Sequence, residues 1–215
     1  MIMNDTTLTL KLERAISELR RGGKVVISDP NFGTSVLLVA AELINKESVN
    51  NLSDLALSRP NVILSENRSN AIGIKIVNKP CSILIDKSWT VHDILSLCMP
   101  LTGHKIPSIN GVIEESNKNI VSHCLLILRQ SRLLPAGLMS IISNVPPENI
   151  SQWAFKNNFI HVDINDIRCY EKSSAESLVM AVRAKVPIAE TENCEIIIFR
   201  PKDGGDEHFC LVFGK

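Results

Sequence analysis

The chain has 215 residues, 45% of them hydrophobic and 21% charged, with lysine plus arginine equal to aspartate plus glutamate at 23 each. That balance suits one packed domain with room for a small appendage and excludes disorder as the default reading. A neutral chain carries no basic footprint for nucleic acid or for an anionic membrane surface, so no nucleic-acid partner is expected.

At the N-terminus no basic segment leads into an apolar run, and no apolar stretch approaches the roughly 20 residues a bilayer span needs. The expectation is a cytoplasmic chain without a transmembrane segment. Leu12, Ile16 and Leu19 then fall on one helical face, and Gly22-Gly23 supplies a stop. KVVIS reads as a buried strand and Asp29-Pro30-Asn31-Phe32-Gly33 as a loop. Thr34 or Ser35 is placed to cap a second helix, SVLLVAAELINKE, apolar on nearly every side and therefore deep in the core. Strand-like runs follow at NVILSE, AIGIKIV and PCSILID, with a helix around Val49 to Ala56. Thr90 caps the predicted helix VHDILSLC, His123 to Leu133 forms another, LMSIIS is a strand, and ENISQWAFKNNF then FIHVDI reads as helix then strand.

The end of the chain differs in texture. VMAVRAKVPI, EIIIFRP and HFCLVFG are apolar runs, the last two flanking an Asp203-Gly204-Gly205-Asp206 turn that signals a hairpin. Mixed elements without a regular βαβ rhythm point to an α+β sandwich with a C-terminal β-hairpin extension, divided as 1–174 and 175–215. The six cysteines stand far apart, without a CxxC pair, so buried free thiols are the preferred reading and no zinc site is expected.

From Ser122 the chain reads SHCLLILRQSRLLPAGLMSIISN. With AAEL at 40–43, GHxxP at 103–107 and His123 followed by Pro135-Ala136-Gly137, it resembles 3,4-dihydroxy-2-butanone 4-phosphate synthase, an enzyme of riboflavin synthesis. The final strands resemble the opening of GTP cyclohydrolase II, the domain fused after the synthase in bifunctional riboflavin enzymes. The resemblance implies the synthase's mixed sandwich fold and a homodimer. It also implies where catalytic groups should stand, and those positions hold other residues. The arginine position of the acidic loop is Asn31, the magnesium-binding glutamate is Phe32 and the substrate-binding aspartate is Val36. The phosphate-contacting arginine is Ile120, the threonine beside the histidine is Cys124, and the catalytic glutamate is Ile141.

Phenylalanine offers no hard oxygen to magnesium, so no magnesium is expected. On these replacements the chain is expected to be a pseudoenzyme, not an enzyme. His123, Cys124, Phe32, Val36, Ile120 and Ile141 would converge in the old active site, turning a charged pocket apolar. One reading is a site for an apolar or planar small molecule such as haem, with His123 or Cys124 as axial ligand. The other is a pocket filled by its own side chains, leaving a regulatory partner of a riboflavin-synthesis enzyme. His104 in the GHKIP loop reads as stabilising that loop, and His208 on the terminal hairpin as a solvated strand residue.

Overall fold

A computed structural model describes residues 5–74, 79–100, 105–109, 118–188, 193–201 and 207–214. The chain divides into two compact units, Met1–Arg168 and Cys169–Lys215. The first is a mixed α/β unit and the second is built on an antiparallel sheet.

The first unit opens with helix α1 (Asp5–Arg20), whose Leu12, Ala15, Ile16 and Leu19 are buried at helical spacing. It ends where Gly22 takes φ +79° and Gly23 N–H returns to the Glu18 carbonyl at 2.9 Å. Strand β1 (Val25–Asp29) follows and turns back into β2 (Thr34–Ala40). The expected helix over SVLLVAAELINKE is therefore not formed. Its first half is strand, residues 41–43 make one 3₁₀ turn, and helix α2 begins only at Lys46. The reason is burial on both faces: every residue from Ser35 to Ala40 is shielded, so the alternation that marks a half-exposed strand never appears.

Helix α2 (Lys46–Ala56) is capped by Asn45 and Ser48 in a reciprocal box. Strand β3 (Asn61–Leu64), helix α3 (Glu66–Ala71) and strand β4 (Cys81–Leu84) come next. Of the predicted strand AIGIKIV, Ala71 closes α3 and Ile72-Gly73 form a turn, while residues 75–77 lie outside the described part. Thr90 and Asp93 cap helix α4 (Val91–Cys98) as its sequence predicts. The Arg68 guanidinium closes the other end of α4, donating to the carbonyls of Ser96, Leu97 and Met99 at 2.6–2.7 Å. Helix α5 (Lys118–Gln130), strand β5 (Ala136–Ile141), helix α6 (Ile150–Lys156) and strand β6 (Ile160–Asp163) follow, and helix α7 (Ile164–Glu176) begins in the first unit and ends in the second. His123 thus lies inside α5 and does not open it.

The sheet runs β4-β3-β5-β2-β1-β6, antiparallel throughout except for the β1–β6 pair. Val26, Leu37, Val39, Val62, Leu64, Ile83 and Leu138 pack in one buried cluster with residues of α2, α4 and α6. Alternate strand residues, including Ile27, Val36 and Leu38, point to the opposite face, where α1 and α5 lie. Gly137 marks how closely α5 approaches there, because a Cβ on it would come 2.9 Å from Leu128 Cδ1 and 2.9 Å from the Val39 carbonyl.

The second unit holds β7 (Leu178–Lys185), β8 (Cys194–Pro201) and β9 (His208–Phe213), paired in that order. The expected C-terminal hairpin extension is present as β8 and β9, with β7 paired along β8. The Asp203–Asp206 turn between β8 and β9 lies outside the described residues, as does His104.

Candidate functional site

At one end of the first sheet, β1 stops at Asp29, and the pair Asp29–Thr34 closes a four-residue loop into β2. Asp29 is 2% exposed. It accepts the Asn31 backbone N–H at 3.0 Å on Oδ1 and the Asn119 side-chain amide at 3.1 Å on Oδ2. The second bond ties the start of α5 to the end of β1 across 90 residues of chain. One turn further along α5, His123 Nδ1 lies 2.7 Å from the Asn119 carbonyl oxygen. A carbonyl can only accept, so Nδ1 carries the hydrogen, and in the neutral ring Nε2 is left with the lone pair.

Around this polar line stand the apolar residues. Val36 and Ile141 are direct partners across β2 and β5, on the face toward α5. Ile120, His123 and Cys124 share one side of α5 at i, i+3 and i+4. Val36, Ile120 and Cys124 are fully or almost fully buried, and Ile141 is partly buried. Phe32 is separate from this packing: at the hairpin tip the residue is 72% exposed. Burial in an apolar setting pushes the Cys124 thiol far up, so its thiolate is not an accessible species.

Sequence reasoning missed Asp29 and Asn119. Asp29 was visible as an acid closing a buried strand before a proline, and Asn119 as a polar residue four before His123. Nothing local said that the two meet.

The chemistry of this donor set is narrow. Asp29 offers carboxylate oxygens already engaged by two N–H donors, His123 offers one imidazole nitrogen, and Phe32 and Val36 offer nothing. Among the described residues no group of three or more His, Cys, Asp or Glu is arranged to hold a metal ion. Magnesium demands near-octahedral oxygen ligation, which these side chains do not fit.

Two other polar sites lie elsewhere. On the opposite face of the sheet, His161 Nε2 is 2.8 Å from Ser28 Oγ and Nδ1 is 2.9 Å from Ser151 Oγ. Desolvation, with the nearby Lys11 cation adding to it, lowers the His161 pKa. A cavity of about 300 Å³ is lined by Asp86, Ser88, Trp89, Asp93, Pro107 and Ser108. Its carboxylates are occupied locally, Asp86 by the Ser88 N–H and O–H and Asp93 by those of Thr90, and these bonds hold both below the usual carboxylate range.

No family model matches the chain. In sequence it is 24% identical over 209 residues to a GTP cyclohydrolase-2 of Azospirillum brasilense, covering 94% of this chain and 53% of that one. The chain thus spans about half the length of this curated relative. In structure it is similar to a two-domain 3,4-dihydroxy-2-butanone 4-phosphate synthase from A. baumannii, with TM-score 0.61 and 15% identity, over 94% of this chain and 70% of the other. The synthase of Candida albicans matches with TM-score 0.60 and 17% identity, over 74% and 96%. A synthase in complex with two magnesium ions matches with TM-score 0.59 and 12% identity, over 76% and 97%. The chain therefore has the fold of 3,4-dihydroxy-2-butanone 4-phosphate synthase, with an additional C-terminal sheet.

These likenesses overturn one expectation. The proteins that the chain is similar to are enzymes, so the reading of it as no enzyme does not stand. The physical fault lay in its reach: replacing the side chains of one reaction speaks about that reaction and not about catalysis in general. No helix among the described residues is long and apolar enough to cross a membrane.

Proposed function

We propose that this chain, related to riboflavin-synthesis enzymes, binds an apolar or planar small molecule at the β1–β2 hairpin end of its first unit, with His123 as the anchoring donor. The observation that carries this reading is the bond from His123 Nδ1 to the Asn119 carbonyl. A histidine ligand is oriented in just this way, by donating its other ring N–H to a carbonyl or carboxylate. The Asn119–Asp29 bond then holds the donor's own helix turn in place. Phe32 adds an exposed aromatic surface at the hairpin tip, where a planar ligand could stack. Haem is the concrete case. With the Cys124 thiolate out of reach, His123 Nε2 would be the side-chain donor that holds the haem iron. A ligand burying about 300 Å² of apolar area gains roughly 7 kcal/mol before ordering costs.

The test is a titration of the purified protein with haem, zinc protoporphyrin and flavin, followed by absorption. Haem is expected to give a shifted Soret band that His123→Ala removes. Phe32→Glu, at an exposed position, should weaken binding of all planar ligands without altering the fold. Binding no stronger than to an unrelated protein, or binding indifferent to both substitutions, refutes the reading.

A further inference from the structure

His161 lies on β6, the edge strand of the first sheet, in register with Val26 of β1, and so shares the sheet face that packs against α6. Serine hydroxyls engage both of its ring nitrogens. Nε2 is 2.8 Å from Ser28 Oγ on β1, and Nδ1 is 2.9 Å from Ser151 Oγ on α6. Three elements far apart in sequence thus meet at one imidazole. Burial falls along this line: Ser28 is 8% exposed, the histidine is half-buried and Ser151 is open to solvent. A nucleophile within reach of a base, with the base held by a third group, is the arrangement that activates a serine.

We propose that Ser151 is a nucleophile for acyl transfer from carboxylic esters, with His161 as its general base and Ser28 as the residue that fixes the ring's tautomer. Ser28 accepts the Nε2 hydrogen, which leaves the Nδ1 lone pair for the Ser151 hydroxyl. As Ser151 Oγ bonds to the ester carbonyl carbon, its proton passes to Nδ1. The bond from that carbon to the leaving oxygen then breaks, and the leaving group takes the proton from the imidazolium. A water molecule repeats the sequence on the acyl-serine, releasing the acid and returning the hydroxyl hydrogen to Ser151. The charged groups acting on the ring are Lys11 of α1, Asp163 of β6 and Asp166 of α7, and Lys11 pairs with Asp166 at 2.7 Å. Desolvation and Lys11 favour the neutral ring that can act as a base, while the two carboxylates favour the imidazolium that it becomes. Ser28 carries no charge, so the base is weaker than one backed by a carboxylate. The substrates are accordingly esters with good leaving groups, such as phenyl esters and thioesters. This inference stands apart from the ligand reading above, since His123 lies on the opposite face and no residue is shared.

The experiment uses the full chain and an alkyl fluorophosphonate, which forms a bond from phosphorus to an activated serine oxygen with loss of fluoride. Intact mass and peptide mapping are expected to place one adduct, on Ser151, that Ser151→Ala removes. Para-nitrophenyl acetate should be hydrolysed about 10²–10⁴ times more slowly by His161→Gln than by the native chain. Labelling should fall as pH drops, with a midpoint below the ordinary histidine value of about 6.5. Ser28→Ala, which keeps the base, should slow labelling about tenfold or more and move that midpoint. The tautomer gives a readout on the native chain alone. By NMR of the ring nitrogens, His161 is expected to carry its hydrogen on Nε2, opposite to His123. No adduct, an adduct spread over several serines, labelling indifferent to His161→Gln, or hydrogen on Nδ1 of His161 overturns the inference. The three side chains would then be a clamp between β1, β6 and α6 and nothing more.

Discussion

Gly137 is the place where a single methyl group should cost most for its size. A Cβ there would meet Leu128 Cδ1 and the Val39 carbonyl oxygen at 2.9 Å and Leu38 Cδ1 at 3.2 Å. The two leucine methyls can swing aside. The carbonyl cannot, because it belongs to β2 and moving it disturbs the β2–β5 ladder. Overpacking of this sort costs about 1–3 kcal/mol. Against it, Gly→Ala stiffens the unfolded chain and returns about 0.4–1 kcal/mol. The steric cost wins, leaving Gly137→Ala less stable by roughly 1–2 kcal/mol. With a urea slope near 2 kcal/mol per molar, the unfolding midpoint should fall by about 0.5–1 M. A midpoint equal to or above that of the native chain would refute the reasoning, since it would mean that the Val39 carbonyl leaves room for a methyl group at this point.

Two further outcomes are expected. Burial lowers the His161 pKa, so the folded ring takes up a proton less readily than the unfolded one. Its contribution is complete above the ordinary histidine value of about 6.5 and is lost as pH falls toward the lowered one, so the urea midpoint should drop between pH 7.5 and 5.5. His161→Gln should flatten that slope, and equal slopes in the two proteins would count against the assignment. Of the six cysteines, Cys169 and Cys210 are exposed and Cys81, Cys98, Cys124 and Cys194 are buried. Burial pushes the Cys98 thiol up to about 12. A disulfide reagent should therefore titrate two thiols rapidly in the native protein and all six in urea, and a third rapid thiol would show the core to be looser than described.

The sequence was legible where local physics decides. Leu12, Ile16 and Leu19 announce α1 by spacing, and Thr90 with Asp93 announces the start of α4. It was illegible where burial erases periodicity. TSVLLVA has the same composition as a core helix segment, and only pairing with β1 and β5 on both sides makes it a strand. The candidate site was half legible. Chain order and motif placed His123, Val36, Ile120 and Ile141 in one region, and Val36–Ile141 is a register pair. The polar line through Asp29 and Asn119 was not readable, because it depends on a contact between residues 90 positions apart. The open tip position of Phe32 was equally hidden, since a hairpin loop and a pocket wall call for the same residue in a one-dimensional reading.

The strand order has a consequence for how the molecule is made. Strand β5 lies between β3 and β2, yet it is translated after both. Until it emerges, a nascent chain can hold only two separate strand pairs, β1–β2 and β3–β4, each with an unpaired flank waiting for the same partner. At 5–20 residues per second, the interval from Leu84 to Ala136 lasts about 3–10 s. For those seconds two apolar strand flanks stand open to each other and to neighbouring chains. Recovery of this protein from cells should accordingly respond to translation speed and to the supply of chaperones well before it responds to the stability of the finished fold.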